Sequence, residues 1–66
     1  MKIMNNVRDI REDRLMSMME LARLAGLSSA TIRRIENGEV CRMETKRKII
    51  LALGYALTDR NAVFPD

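Results

Sequence analysis

Apolar residues recur three or four positions apart along this chain, which is the spacing of one face of an α-helix. Val7 and Ile10 predict a first short helix from about Asn5 or Asn6 to Asp13. A second helix is predicted over residues 18–25, because its apolar positions share one face. These positions are Met18, Leu21, Ala22 and Ala25.

Capping residues mark the limits of the second and third helices. Ser17 can accept a hydrogen bond from the backbone three residues on, while Glu20 reaches back to complete a capping box. Gly26 can adopt the left-handed conformation that ends a helix. Ser28 then predicts the start of a third helix over residues 29–36, which Asn37 and Gly38 end. Its inner side carries Ile32 and Ile35.

The remaining residues predict two more helices. A fourth runs from Met43 or Glu44 to Leu53 and is ended by Gly54. Its main core residues are Ile49, Ile50 and Leu53. A brief fifth helix is capped by Thr58, includes Val63 and Phe64, and is closed by Pro65. Glycine and proline are too sparse for strands with tight turns, so the fold class is all-α, a compact bundle of about five short helices forming one domain over residues 1–66.

Composition excludes several classes of function. Residues of hydrophobic type make up 47% and charged residues 32% of the 66 residues, which is typical of a globular chain. One cysteine, Cys41, and no histidine leave neither an internal disulfide nor a Cys/His metal cluster, and they exclude a His-assisted nucleophile. We therefore expect neither an enzyme nor a cofactor. Without a membrane span or the apolar centre of a signal peptide, a cytoplasmic location is expected.

Positive charge is concentrated in the middle of the chain. The net charge is +3, with nine arginines and three lysines, and residues 33–48 carry six basic and three acidic side chains. Arginine suits bidentate contact with phosphates and guanine edges, so this segment is a candidate nucleic-acid footprint. An ordinary solvated helix face is the alternative interpretation. Lys46, Arg47 and Lys48 near a helix N-terminus oppose its dipole, which favours a role in ligand binding over mere solvation.

The stretch from residue 18 to 37 has the pattern of a helix-turn-helix, two helices joined at a steep angle by a short turn that contains glycine. Ala22 and Gly26 are small enough for the two helices to cross closely. The core between the helices is predicted to contain Leu21, Leu27, Ile32 and Ile35. The outward positions of the second helix of the pair, which can approach base edges in the major groove, are Ser29, Ala30, Arg33 and Arg34.

With these motifs the chain resembles the lambda-repressor-like helix-turn-helix family, of the Cro and phage-repressor type, over about residues 7–64. The residues that carry the resemblance are Ser17 to Ala22, Ala25 to Ser28, Thr31 to Gly38 and Ala52 to Gly54. The resemblance implies that the helix after Ser28 enters the major groove and that Arg11 pairs with Glu36. It also implies a DNA-binding site made of Ser17, Met18, Ser28, Ser29, Ala30, Arg33, Arg34, Asn37 and Arg42.

Four positions depart from the family pattern. Met18 stands where glutamine is common, and a thioether cannot donate the hydrogen bonds of an amide. Lys46 and Arg47 stand where leucines are frequent in the fourth helix, whereas Leu51 stands where a polar residue is frequent. The apolar face of that helix is shifted, which predicts an exposed C-terminal dimer patch of Leu51, Tyr55 and Phe64.

Three functions remain in competition. The first is a sequence-specific reader of double-stranded DNA, a transcriptional repressor that acts as a homodimer on a near-palindromic operator, with half-sites about 34 to 36 Å apart. The second is a protein-interaction module, such as the antitoxin half of a toxin-antitoxin pair or an adaptor, with weak DNA binding. Apolar residues at Met18, Met19, Leu24 and Leu51 motivate the second class. Nonspecific nucleoid binding is a third possibility.

Overall fold

The computed structural model describes residues 5–65, which contain five α-helices and one 3-10 turn. Helix α1 is Val7–Asp13, α2 is Met18–Ala25, α3 is Ser29–Glu36 and α4 is Met43–Ala52. The 3-10 turn Leu57–Asp59 leads directly into α5, Arg60–Val63. Because the described part of the chain holds no strand, the predicted all-α fold class is confirmed.

The predicted caps fix the ends of α2 and α3. The Ser17 hydroxyl accepts a hydrogen bond from the Glu20 backbone N–H at 3.0 Å, and Ser28 accepts one from the Thr31 N–H at 3.1 Å. Gly26 ends α2 in the left-handed conformation with φ at 72°. Among residues 5–65 the Ser17 backbone N–H does not donate to the Glu20 carboxylate, so only half of the capping box is present.

The hydrophobic core lies where α2, α3 and α4 meet. Leu21, Ile32 and Ile49 are fully buried there, one from each of these helices. Val7 and Ile10 bring α1 onto the same cluster, and Leu27 in the turn between α2 and α3 is half-buried against it. The core thus clamps α2 and α3 together, as the predicted helix-turn-helix requires.

Asn5 and Asn6 tie the start of α1 to two distant parts of the chain. The Asn5 amide Nδ2 donates to the Ile35 carbonyl at 2.7 Å, at the end of α3. The Asn6 backbone N–H donates to the Val63 carbonyl at 2.8 Å, and its Nδ2 donates to Ala62 at 3.0 Å. These bonds hold α5 against the first helix and satisfy backbone carbonyls at the ends of short helices.

Two predictions for the C-terminal segment are wrong. Thr58 lies inside the 3-10 turn and caps no helix, since Asp59 precedes α5. Phe64 was expected on an exposed patch, but it is only 9% exposed and belongs to the core. The Lys46 ammonium lies 5.5 Å from its ring centroid. The cause is the attachment of α5 to α1, which turns the Phe64 ring inward.

The helices between residues 5 and 65 are all too short or too polar to cross a membrane.

Candidate nucleic-acid interface

One side of α3 faces solvent and carries the residues that the sequence predicts for DNA reading. Ser29, Ala30, Arg33 and Arg34 are all exposed, whereas Ile32 and Ile35 on the opposite side are buried. Residues one and four positions apart in a helix form one broad face, so these four side chains are presented together. Because two of the four side chains are small, base edges in a DNA major groove can approach the helix beside the two arginines.

A buried ion pair fixes the C-terminal end of α3 relative to α1. The Arg11 guanidinium donates to both carboxylate oxygens of Glu36, from Nε at 2.7 Å and from Nη2 at 3.2 Å. Its Nη1 donates to the Met16 carbonyl at 2.7 Å, in the connection to α2. The hydrogen bond that Arg11 donates to the Glu36 carboxylate raises the pKa of Arg11, although burial acts against this shift. The predicted pair is therefore present; it joins α1 to α3, and Arg11 also holds the connection that leads to α2.

The arginines of the exposed face differ in their local partners. Arg34 Nε lies 3.9 Å from Glu39 Oε1, in an ion pair that is open to solvent on both sides. Arg33 and Arg42 have no carboxylate within 4.0 Å among residues 5–65. An exposed pair of this kind contributes about 0 to 1 kcal/mol, so a phosphate or a guanine edge can replace Glu39 as the partner of Arg34.

Ser17 and Met18 lie at the N-terminus of α2. Ser17 is exposed and precedes the helix, while Met18 is half-buried and packs against the core. The Ser17 hydroxyl satisfies the N–H of Glu20, which leaves the N–H groups of Met18 and Met19 available to an anion. At Met18 the donor available to an anion is the backbone N–H and not the thioether side chain.

Asn37 and Arg42 border the connection between α3 and α4. Asn37 is the exposed residue after the last turn of α3, and Gly38 follows with φ at 95°. Arg42 is the exposed residue before α4, and its side chain makes no cap to that helix. Both side chains are therefore free to contact a phosphate that passes this connection.

Glu39 is the residue of this surface that sequence reasoning missed. Its spacing of five from Arg34 is not a helical neighbour spacing, and the turn at Gly38 brings the two side chains together. In the sequence only Gly38 indicates that the chain reverses there, because glycine adopts a positive φ without strain.

The three residues of the predicted dimer patch lie in different environments in the structure. Leu51 is exposed and borders a shallow depression with Leu24 of α2. Tyr55 is half-buried, with the Arg14 guanidinium carbon 5.0 Å from its ring centroid. Phe64 is buried and lines a different groove beside Lys46. Leu24 thus joins Leu51 on the apolar surface that remains open.

Cys41 shows no features of a reactive thiol. Its side chain is half-buried, and this burial raises the pKa of the Cys41 thiol, while the charge of Lys46 acts in the opposite direction. A raised pKa keeps the less reactive protonated form at neutral pH. Between residues 5 and 65 no group of three or more acidic or cysteine side chains could hold a metal ion.

A family model described as "Helix-turn-helix" matches residues 7–59, which is most of the chain and includes α1 to α4. The comparison with curated proteins gave no match.

Proposed function

Because the chain belongs to the lambda-repressor-like helix-turn-helix family of DNA-binding regulators, we propose that it reads a specific duplex sequence with α3 in the major groove. The observation that carries the proposal is the exposed face of α3, held in place by the buried pair of Arg11 and Glu36. A rigid support for the reading helix is what accurate placement of side chains against base edges requires.

Sequence discrimination rests mainly on Arg34 and Arg33. Arginine makes its best specific contact with the O6 and N7 atoms of guanine, and a good bidentate pair discriminates by about 1 to 3 kcal/mol. Ser29 supplies weak hydrogen bonding, and Ala30 supplies a methyl contact suited to thymine. Both arginines are exposed, and neither has a buried partner to lose on binding.

Phosphate contacts on both sides of the groove set the position of α3. The N–H groups at the start of α2, next to Ser17 and Met18, favour one phosphate, and Ser28 lies at the N-terminus of α3. Asn37 and Arg42 are placed for a phosphate at the other end of α3. Such contacts fix register without reading sequence.

A homodimer on a near-palindromic operator completes the proposal, with repression by occupancy of the site. One helix reads only a few base pairs, which is too little to select a single genomic site unless two half-sites add. The Cα atoms of the described residues span 27 × 26 × 23 Å, so two touching copies fit half-sites about 34 to 36 Å apart. The proposed contact between the copies is Leu51 with Leu24 beside it, together with Tyr55 in the connection that follows α4.

Selection of bound sequences from a random duplex pool tests this function. The purified chain is incubated with the pool at low and at physiological salt, and the retained duplexes are sequenced. We expect a two-fold symmetric motif whose half-sites are one helical turn apart. Retention of duplex at low salt without any enriched motif would overturn sequence-specific reading and leave nonspecific binding.

A protein-interaction module is the second candidate function, and exposed apolar side chains favour it. Met19, Leu24 and Leu51 are large and exposed on α2 and α4. An apolar protein interface barely responds to salt, whereas binding through phosphates weakens steeply as salt rises. A chain that retains no duplex even at low salt would favour this candidate over DNA reading.

A further inference from the structure

A groove separates the first half of α4 from the C-terminal segment, away from the DNA-reading residues of α3. Its volume is about 630 Å³. Ile50 and Phe64, both buried in the core, form its floor. Met43 and Leu57 add exposed apolar surface at the rim. The groove can therefore hold the apolar part of a small molecule. Its volume lies within the range of about 300 to 1,000 Å³ found for small-molecule pockets.

Three cations border the same groove. Lys46 and Arg47 project from α4, and Arg60 projects from the start of α5. None of the three has a carboxylate within 4.0 Å among the residues that the structure describes. Arg60 uses Nη1 to donate to the Leu57 carbonyl at 3.2 Å and keeps its other donors. Within the described part of the chain, the rim thus carries three cations without an ion-pair partner, of which Lys46 lies 5.5 Å from the Phe64 ring centroid.

Glu44 is the one acidic residue of the groove lining, and it is already engaged. Its Oε2 lies 3.8 Å from the Lys48 ammonium on the next turn of α4. Lys46 and Arg47 lie on α4, and DNA reading by α3 does not account for these cations. The groove thus brings these cations together with apolar surface.

We propose that this groove binds a small anionic amphiphile, with a carboxylate, sulfonate or phosphate head at Lys46, Arg47 and Arg60 and an apolar body over Ile50 and Phe64. Charge-assisted hydrogen bonds from arginine and lysine are the strong contacts for such a head. A second copy of the chain in a symmetric arrangement would bring like-charged rims together, which disfavours it as the occupant. A DNA backbone has the charge but no apolar body for the floor.

Decanoate, kept below its micelle concentration, is the probe for this site. Titration is followed by ¹H–¹³C NMR of the Met43 and Leu57 methyl groups and the Phe64 ring. We expect saturable shifts at these residues, and we expect decyltrimethylammonium, which has the same tail and a positive head, to bind at least about tenfold more weakly.

Charge-removing variants identify the head-group contacts. The Lys46→Gln/Arg60→Gln double variant is expected to weaken decanoate binding about tenfold or more. Arg47→Gln, at an exposed position, is expected to weaken decanoate binding less. This variant tests the head-group contact while Lys46 keeps its place beside the Phe64 ring. Arg8→Gln removes an exposed arginine outside the groove and leaves binding unchanged.

Several results would overturn the proposal. These are the absence of saturable shifts, equal binding of the cationic detergent, and decanoate affinity that the charge-removing variants leave unchanged. Shifts of the same groove residues on raising the protein concentration alone would assign the groove to a second copy. Binding of an acidic peptide without binding of decanoate would assign it to a protein partner. Because the titration contains no DNA, its failure would leave the proposed DNA reading intact.

Discussion

Arg11 and Glu36 are the two charged side chains buried within the described fold, and each depends on the other. Removing one partner of a buried pair leaves an uncompensated charge without water, which costs far more than the pair itself contributes. Arg11 has a raised pKa, so its contribution is fully present below the ordinary arginine pKa. It is lost only as pH rises through the higher pKa of the folded protein.

Glu36→Ala is therefore expected to lower the free energy of unfolding by about 3 to 5 kcal/mol, measured by urea denaturation. Arg8→Ala breaks the exposed pair of Arg8 and Glu12 and is expected to cost less than about 1 kcal/mol. An Arg11→Met/Glu36→Leu double variant should recover most of the loss, because an apolar replacement leaves no buried charge. If Glu36→Ala and Arg8→Ala lowered the free energy of unfolding equally, the buried pair would contribute no more to stability than the exposed pair.

Leu15 is held in an unfavourable conformation for its residue type. Its φ is 55°, in the left-handed region, and its side chain is 91% exposed, so packing gives little in return. Leu15→Gly should raise the free energy of unfolding by about 1 kcal/mol. Leu24→Gly, inside α2, should lower it by about 1 kcal/mol. Thermal or urea unfolding checks both, and a loss of stability in Leu15→Gly would contradict the assignment of strain.

Among the helices, α3 has at its N-terminus a residue with two roles, one in helix stability and one in the proposed DNA binding. Ser28 caps the helix by accepting from the Thr31 N–H, and it also lies among the proposed phosphate contacts. Aspartate caps a helix about as well as serine, but its negative charge opposes a phosphate. The two roles of Ser28 can thus be separated by one pair of substitutions.

Ser28→Ala is expected to lower the free energy of unfolding by about 1 kcal/mol, since the cap is lost. Ser28→Asp should leave stability within about 0.5 kcal/mol of the wild type, yet weaken DNA binding at least about tenfold at low salt, an effect that salt reduces. Denaturation and fluorescence anisotropy with a selected duplex measure the two quantities. Wild-type affinity in Ser28→Asp would exclude Ser28 from the interface.

Sequence patterns predicted the helices well where the signal is local. Ser17, Ser28 and Gly26 each act within one turn of themselves, so the bounds of α2 and α3 follow from neighbouring residues. The C-terminal segment could not be predicted in this way. Its position depends on hydrogen bonds between Asn6 and residues Ala62 and Val63, which are more than fifty positions apart. For the same reason Phe64 was misplaced on the surface.

In the candidate site too, local sequence patterns predict some features, whereas others depend on contacts between distant parts of the chain. The outward positions Ser29, Ala30, Arg33 and Arg34 follow from helical periodicity and were predicted. The approach of Glu39 to Arg34 and the grouping of Lys46 and Arg47 with Arg60 around one groove depend on how turns and helices meet in space, which helical periodicity does not indicate.

At the scale of the whole molecule, the proposed dimer requires an apolar surface that a second copy covers. Leu51 is 54% exposed and continues onto Leu24, whereas the predicted partner Phe64 is buried. The dimer account thus depends on the surface that joins α2 and α4. Introducing a charge there would place two like charges in a desolvated contact.

Leu51→Glu is expected to raise the dimer dissociation constant at least about tenfold, measured by sedimentation equilibrium. Val40→Glu is the matched control, because Val40 is 97% exposed in the connection between α3 and α4, outside this surface. We expect the control to self-associate as the wild type does. An unchanged dissociation constant in Leu51→Glu would remove Leu51 from the interface.

The central claim, that α3 reads DNA sequence through Arg34, is tested most directly by the affinities of wild type and Arg34→Ala for every single-base variant of the selected operator. We expect Arg34→Ala to lose about 1 to 3 kcal/mol on the preferred operator and to lose its preference at one base pair in each half-site. Arg8→Ala, on α1, should keep the wild-type profile. A profile for Arg34→Ala that is unchanged at every position would contradict the claim.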